Sequence, residues 1–214
     1  MNKIKKILLK NLIKFLIKLN NFTYEKISKY CVILENGIHP KHRIMKYHEF
    51  FLENIKESDN VLDIGCGNGF ISYKISKKAK EIVGIDINPE NIKIALKEYK
   101  ANNIKYILGD ITEYKFENKF DVIIMSNVLE HIKNRIDFLI SLKDKADKFL
   151  IRVPCIERSW LDIYKKELGV EYRLDKSHYT EYTVSSFTEE MIDAGLKITN
   201  LIIKFGEIWA VVSN

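Results

Sequence analysis

The stretch Val61-Leu62-Asp63-Ile64-Gly65-Cys66-Gly67-Asn68-Gly69-Phe70 narrows the possible folds of this chain more than any other. An apolar run gives out into three glycines at alternate positions, and a helical pattern follows. A short apolar run closed by glycine reads as a buried strand. The glycines let the backbone turn sharply and let a ligand come close. Strand, glycine turn and helix open an α/β unit, and the rest of the chain repeats it. Apolar runs predict strands at about Val61–Ile64, Ile82–Ile85, Lys105–Leu108, Asp121–Met125 and Phe149–Val153, with helical patterns between them.

Local signals punctuate this alternation. Asn88-Pro89-Glu90 has an N-cap residue followed by proline in the first turn, which predicts a helix running to about Asn102. Ser186-Phe187-Thr188-Glu189 has capping-box spacing, and Gly195 is placed to stop that helix. Two last strands, about Ile198–Lys204 and Ile208–Val212, are joined near Gly206, too short a link for anything but antiparallel pairing. The expected fold is α/β and Rossmann-like: a seven-stranded, mostly parallel sheet with helices on both faces and a C-terminal antiparallel hairpin. The expected organisation is a basic helix over residues 1–20 and a single domain over residues 21–214.

The chain has 214 residues and a formal net charge of +6, which raises the question of a nucleic-acid partner. The charge is local. Lys3, Lys5, Lys6, Lys10, Lys14 and Lys18 fall in the first twenty residues with no acid, and the remainder balances at 29 of each sign. A nucleic-acid binder spreads its basic residues over its folded face, so none is expected. Cys31, Cys66 and Cys155 are odd in number and far apart, which argues against a disulfide framework and for a reducing cytoplasm. On a helical wheel, Ile4, Leu8, Leu9, Leu12, Ile13, Phe15, Leu16 and Leu19 fill one arc, with Lys6, Lys10, Lys14 and Lys18 across from them. The lysines exclude a transmembrane span and a signal peptide. Three readings stay open: a lid or packing helix, a helix lying on the anionic inner face of the membrane, and a helix held in a partner's groove.

The acidic residues at strand ends carry the chemistry. Asp63 lies two residues before the first glycine, where it would oppose a pyrophosphate but suits an ammonium beside a sulfonium. Asp86 ends the second strand, where a carboxylate can accept two ribose hydroxyls. Asp110, in Gly109-Asp110-Ile111, closes the third strand, within reach of an adenine amino group. The G-x-G-x-G spacing departs from the G-x-G-x-x-G of dinucleotide enzymes, so a nicotinamide-linked oxidoreductase is the weaker alternative.

Taken in order, Asp63–Gly69, Gly84-Ile85-Asp86, Gly109-Asp110-Ile111 and Ser126-Asn127-Val128-Leu129-Glu130-His131 resemble the motif series of class I S-adenosylmethionine (SAM)-dependent methyltransferases, in their small-molecule branch. The resemblance covers about residues 40–214. It implies SAM as the cofactor, with its methionyl part held by Asp63 and the Gly65, Cys66, Gly67 and Gly69 turn. The same resemblance implies Asp86 and Ile87 for the ribose, Asp110 and Ile111 for adenine, Asn127 near the sulfur, and Tyr47 or His48 over the site. Segments 36–42 and 166–183 resemble, more weakly, methyltransferases of surface-glycan or glycolipid synthesis.

For the acceptor, the long connection Pro154–Thr183 is the expected binding insertion. It contains Trp160, Tyr164, Tyr172, Tyr179 and Tyr182 among charged residues, a composition suited to a sugar or a polar ring. His178 is the first candidate for general base, and His131 and His48 follow. No metal is expected, because the spacings around His39, His42 and His48 match no usual ligand pattern. O-methylation of a small-molecule, sugar or lipid-linked acceptor is the leading expectation; N-methylation and a SAM-binding protein without catalysis are the alternatives. A nucleobase-amine enzyme is disfavoured, because Val128-Leu129 stand where its proline-rich signature belongs.

Overall fold

Seven strands hydrogen-bond into one sheet in the computed structural model, which describes residues 1–214. They are β1 (Asn60–Ile64), β2 (Glu81–Asp86), β3 (Ile104–Leu108), β4 (Phe120–Ser126), β5 (Ala146–Pro154), β6 (Lys197–Lys204) and β7 (Glu207–Ser213). Their order is β3-β2-β1-β4-β5-β7-β6. The first five run parallel, and β7 pairs antiparallel with both β5 and β6. The order reverses between β1 and β4, and ligands of such open sheets bind in the crevice that this reversal creates. The expected fold is the one observed.

The helices are α1 (Lys3–Leu34), α2 (Lys41–Met45), α3 (Tyr47–Glu53), α4 (Phe70–Ile75), α5 (Pro89–Glu98), α6 (Arg135–Leu142), α7 (Trp160–Glu167) and α8 (Val184–Asp193). The chain divides into two compact units, residues 1–46 with 156–174, and residues 47–155 with 175–214. The first unit holds α1, α2 and α7. Within it, Asn21 donates to the Glu171 carbonyl and Arg158 to the Tyr172 carbonyl. The sheet and the remaining helices form the second unit, so the 154–183 connection is shared between the two.

In the sheet unit the central strands are apolar on both faces because helices cover both. Leu62, Ile64, Met125, Phe149 and Ile151 are buried in one core with Phe138 and Leu139 of α6 and Phe187 and Met191 of α8. On the opposite face Ser72 of α4 meets Asp63, and Phe50 of α3 packs against Trp209, ring centroids 5.8 Å apart. At the sheet edge β6 is largely exposed and carries Lys197 and Lys204, charges that discourage pairing with another chain. The β6–β7 link is Phe205-Gly206, both with positive φ, as a tight two-residue hairpin demands.

Three boundaries differ from expectation. The first helix does not stop at residue 20 but runs to Leu34. The helix after Asn88 ends at Glu98, short of Asn102, and Tyr106 Oη donates to the Tyr99 carbonyl just past its end. Ser186 is not the N-cap of α8. Thr183 is, its hydroxyl accepting from the Ser186 amide while the Ser186 hydroxyl accepts from the Thr183 amide. That places Phe187, fully buried, inside the helix rather than at its entrance.

Candidate active site

The C-terminal ends of β1, β2, β3 and β4 open into a cavity of about 790 Å³, the scale of a cofactor with room for a small molecule. Gly65, Asp86, Ile87, Asp110, Ile111, Asn127 and His131 all line it. Seven of the residues singled out from the sequence, drawn from four different strand ends, therefore share one wall.

The glycine turn is shaped by its surroundings. Gly65 has φ +63°, and a Cβ there would lie 2.6 Å from Val128 Cγ2, so no side chain fits. Gly67, φ +55°, is the opposite case: nothing lies within 4 Å of where its Cβ would be. The space beside it is open, and its positive φ is what calls for glycine. The Gly67 amide donates to Asp86 Oδ2 at 2.9 Å, and Asp86 Oδ1 accepts from the Asn88 amide at 2.8 Å. Asp86 thus ties the glycine turn to the loop after β2 while facing the cavity. Asp110 is similarly oriented, its Oδ1 accepting from the Thr112 amide and hydroxyl.

Asp63 sits deeper, almost wholly buried. Its Oδ2 accepts from Ser72 Oγ at 2.6 Å, but its Oδ1 is buried with no hydrogen-bond donor. Burial pushes its pKa up to about 7, against the Ser72 bond and with a smaller contribution from the Asp86 charge. Asn127 Oδ1 is also buried and without a donor, and its backbone is held at φ +58° by its amide donating to the Arg152 carbonyl at 2.8 Å. A buried acceptor left unsatisfied costs about 1–3 kcal/mol. Two of them at the ends of the adjacent strands β1 and β4 mark places where a ligand's donors belong.

The candidate bases fall differently. His131 lines the cavity, and its Nδ1 lies 3.1 Å from Ser177 Oγ, which donates to Asp175 Oδ1. Burial, then the neighbouring His178, hold its pKa below the usual histidine value. His178 is buried behind it, ring centroids 4.6 Å apart and edge-on, with its Nδ1 2.8 Å from Glu181 Oε1. Glu130, fully buried, has no donor to either carboxylate oxygen, and burial lifts its pKa to about 8. One ligating atom from each of Glu130, His131 and His178 lies within 4.8 Å of the others.

Asp63, Gly67, His178, His48, Tyr47, Cys66 and Gly69 are not part of this wall. His48 packs edge-on against Phe70, centroids 5.7 Å apart. Tyr47 is buried beneath the Arg152 guanidinium, 4.0 Å from its ring centroid, and burial pushes its pKa up to about 12. Cys66 is buried behind the turn, and burial followed by the Asp63 charge pushes its thiol pKa well up, so it is no nucleophile. A Cβ on Gly69 would lie 2.5 Å from Tyr106 Oη.

Sequence reasoning missed Arg152 and Glu207. Their side chains form a buried two-point ion pair, with Arg152 Nη1 donating to Ser126 and Trp209 Nε1 donating to Glu207. The signal was visible: an arginine inside the apolar run Phe149-Leu150-Ile151-Arg152-Val153 must be paired if that run is a central strand.

The groups at the cavity fit the donor expected from the motifs. Carboxylates, an orphan carboxylate oxygen and an orphan amide oxygen suit an ammonium, ribose hydroxyls and an adenine amine. Comparison with known proteins agrees. A family model described as a methyltransferase domain matches residues 55–160. The ubiquinone biosynthesis O-methyltransferase of Pelagibacter ubique is 31% identical, the alignment covering 87% of each chain. Among solved structures, a SAM-dependent methyltransferase from Aquifex aeolicus superimposes with a TM-score of 0.63 at 17% identity, over 90% of this chain and 97% of its own. Magnesium protoporphyrin IX methyltransferase from Synechocystis, with bound S-adenosylhomocysteine, gives a TM-score of 0.64 at 16% identity, over 79% and 83%. Sequence motifs, strand order, the shape of the crevice and these relatives converge, and the chain belongs to the class I SAM-dependent methyltransferases.

Proposed function

We propose that this enzyme methylates an oxygen of a small-molecule acceptor, with the imidazole of His131, backed by His178 and Glu181, receiving the hydroxyl proton. The observation that carries this reading is the His131 imidazole at the cavity wall. His131 has a lowered pKa and an Nδ1 within hydrogen-bond distance of Ser177. Because Ser177 Oγ donates to Asp175, it can accept from His131 Nδ1–H, which leaves the other ring nitrogen as the proton acceptor. His178, first choice from the sequence, lies one layer back and positions that ring.

When bound, SAM would supply an electrophilic methyl group on a cationic sulfur. The residues have the remaining tasks. Asp63 and the glycine turn would hold the methionyl end, Asp86 and Ile87 the ribose, Asp110 and Ile111 the adenine, and Asn127 the region of the sulfur. Tyr47 packs between the Arg152 guanidinium and Phe70, the residue that follows the turn. Holding donor and acceptor in line can contribute about 7–11 kcal/mol to lowering the barrier. A positioned base adds about 10²–10⁴-fold.

The named role of the relatives in ubiquinone biosynthesis makes a phenolic hydroxyl the first acceptor to test. A sugar or glycolipid hydroxyl, suggested by the weaker resemblance at residues 166–183, comes second. The test is SAM consumption across phenols, sugars and amines. O-methyl products should form, and His131→Ala should cut turnover about 10²–10⁴-fold while leaving SAM affinity unchanged. Methylation of amines alone, or full turnover in His131→Ala, would refute the assignment. Chelation of trace metal should leave turnover intact. Loss that is restored by a divalent ion would instead assign Glu130, His131 and His178 to a metal.

A further inference from the structure

Helix α1 is amphipathic, and helices of that kind ordinarily bury their apolar stripe. This one does the reverse. Over its 32 residues the buried side chain is Ile17, at 4% exposure, and the hydrogen bonds that tie the helix within its unit leave from Asn21 and Ser28. At 100° per residue these three lie within about 40° of one another. The apolar arc lies on the opposite side, in solvent. Leu8 is 64% exposed, Phe15 62%, Leu16 52% and Leu12 51%, with Ile4 and Leu19 beside them. Phe22, Tyr30, Ile33 and Leu34 continue the exposed apolar residues to the far end of the helix. The helix spans about 48 Å at 1.5 Å per residue, so this is a long apolar strip rather than scattered exposure.

Charge identifies what covers it. The helix carries eight lysines, Lys3, Lys5, Lys6, Lys10, Lys14, Lys18, Lys26 and Lys29, against the single acid Glu25. Lys5 and Lys26 lie within the apolar arc and Lys18 and Lys29 at its edge, whereas Lys3, Lys6, Lys10 and Lys14 lie on the side of Ile17. A second copy docking strip to strip would bring the lysines within and at the edge of the arc against each other. An anionic lipid surface accepts both features at once, taking the apolar side chains to the depth of the acyl boundary and the ammonium groups among the phosphates. No helix is long and apolar enough to cross a membrane. We propose that α1 lies flat on an anionic lipid surface by its outward apolar face and delivers the methyltransferase to acceptors held there. This inference stands on the helix alone and is independent of the acceptor chemistry proposed above.

The test uses the full chain in flotation with phosphatidylcholine vesicles, with and without phosphatidylglycerol. Anionic vesicles should retain the protein at least about tenfold better than zwitterionic ones, and added salt should weaken retention. A variant with Leu8→Ser, Leu12→Ser, Phe15→Ser and Leu16→Ser, all exposed positions, should keep the circular-dichroism melting profile and lose vesicle binding. A full chain that stays in the buffer with anionic vesicles, or a serine variant that floats as well as the wild type, would overturn the proposal. So would a lipid-free dimer by light scattering that the serine variant converts to monomer, since the strip would then be a self-interface.

Discussion

Asp63 and Glu130 are buried acids whose pKa values rise for the same reason: water is removed and too few donors replace it. For Asp63 the consequence follows from its proposed role in holding the SAM ammonium. If it has that role, its proton, held with a pKa of about 7 in the ligand-free protein, competes with the ammonium, so SAM affinity should climb as pH rises through 7 and level off above it. Calorimetry across pH checks this, and Asp63→Asn should abolish the pH dependence while weakening binding about 10–100-fold, the range expected for one charge-assisted hydrogen bond. His131 has the opposite shift, so turnover at saturating SAM should stay flat near neutrality and fall only below the ordinary histidine range. Gly65 offers a purely steric test. Gly65→Ala should destabilise the protein, and adding Val128→Ala should recover only part of the loss, because the contact at 2.6 Å is removed but the φ of +63° remains.

Elements impose constraints that single residues do not. The antiparallel register of β5 and β7 places Arg152 opposite Trp209 and Pro154 opposite Glu207, which brings the arginine and glutamate together, with the guanidinium over the Tyr47 ring. Glu207→Ala should cost about 3–5 kcal/mol in urea unfolding, since it leaves a buried guanidinium without its partner. A double variant replacing both groups by apolar side chains should lose far less. The cap of α8 matters on a smaller scale: Thr183→Ala should lower stability by about 1 kcal/mol. The cap lies three residues before the one expected from the sequence, because Thr183 and Ser186 are both good caps. Burial of Phe187 chose between them.

On the scale of the whole molecule, the two raised acids make ligand-free stability depend on pH. Each binds a proton in the folded chain where the unfolded chain has already lost it, from about pH 4 up to about 7 for Asp63 and about 8 for Glu130. Folded stability from these groups is therefore complete at the acid end and lost as pH rises through that window. Melting temperature should decline between pH 5 and 8, at about the values these two groups set, and the pair Asp63→Asn with Glu130→Gln should flatten the curve. Saturating SAM should raise the melting temperature more at the alkaline end if its ammonium meets the charged form of Asp63, as proposed.

The sheet and its glycine turn were legible without coordinates because their causes are local. Apolar runs of strand length, glycines where no Cβ can stand, and a proline after Asn88 each act over a few residues. The cavity wall was legible for the same reason, since Asp86, Asp110 and Asn127 each sit at a strand end that the pattern already marks. The acceptor side was not. Which histidine faces the cavity depends on how residues 175–181 return to the end of β4, where the Tyr179 amide reaches the Glu130 carbonyl, a contact some fifty residues long in sequence. Likewise the wheel of α1 gives two faces but not the one that packs. That choice rests on Ile17, Asn21 and Ser28, whose partners come from folding rather than from neighbours along the helix. Periodicity records what a segment can bury, whereas burial itself is decided by everything else that competes for the same surface.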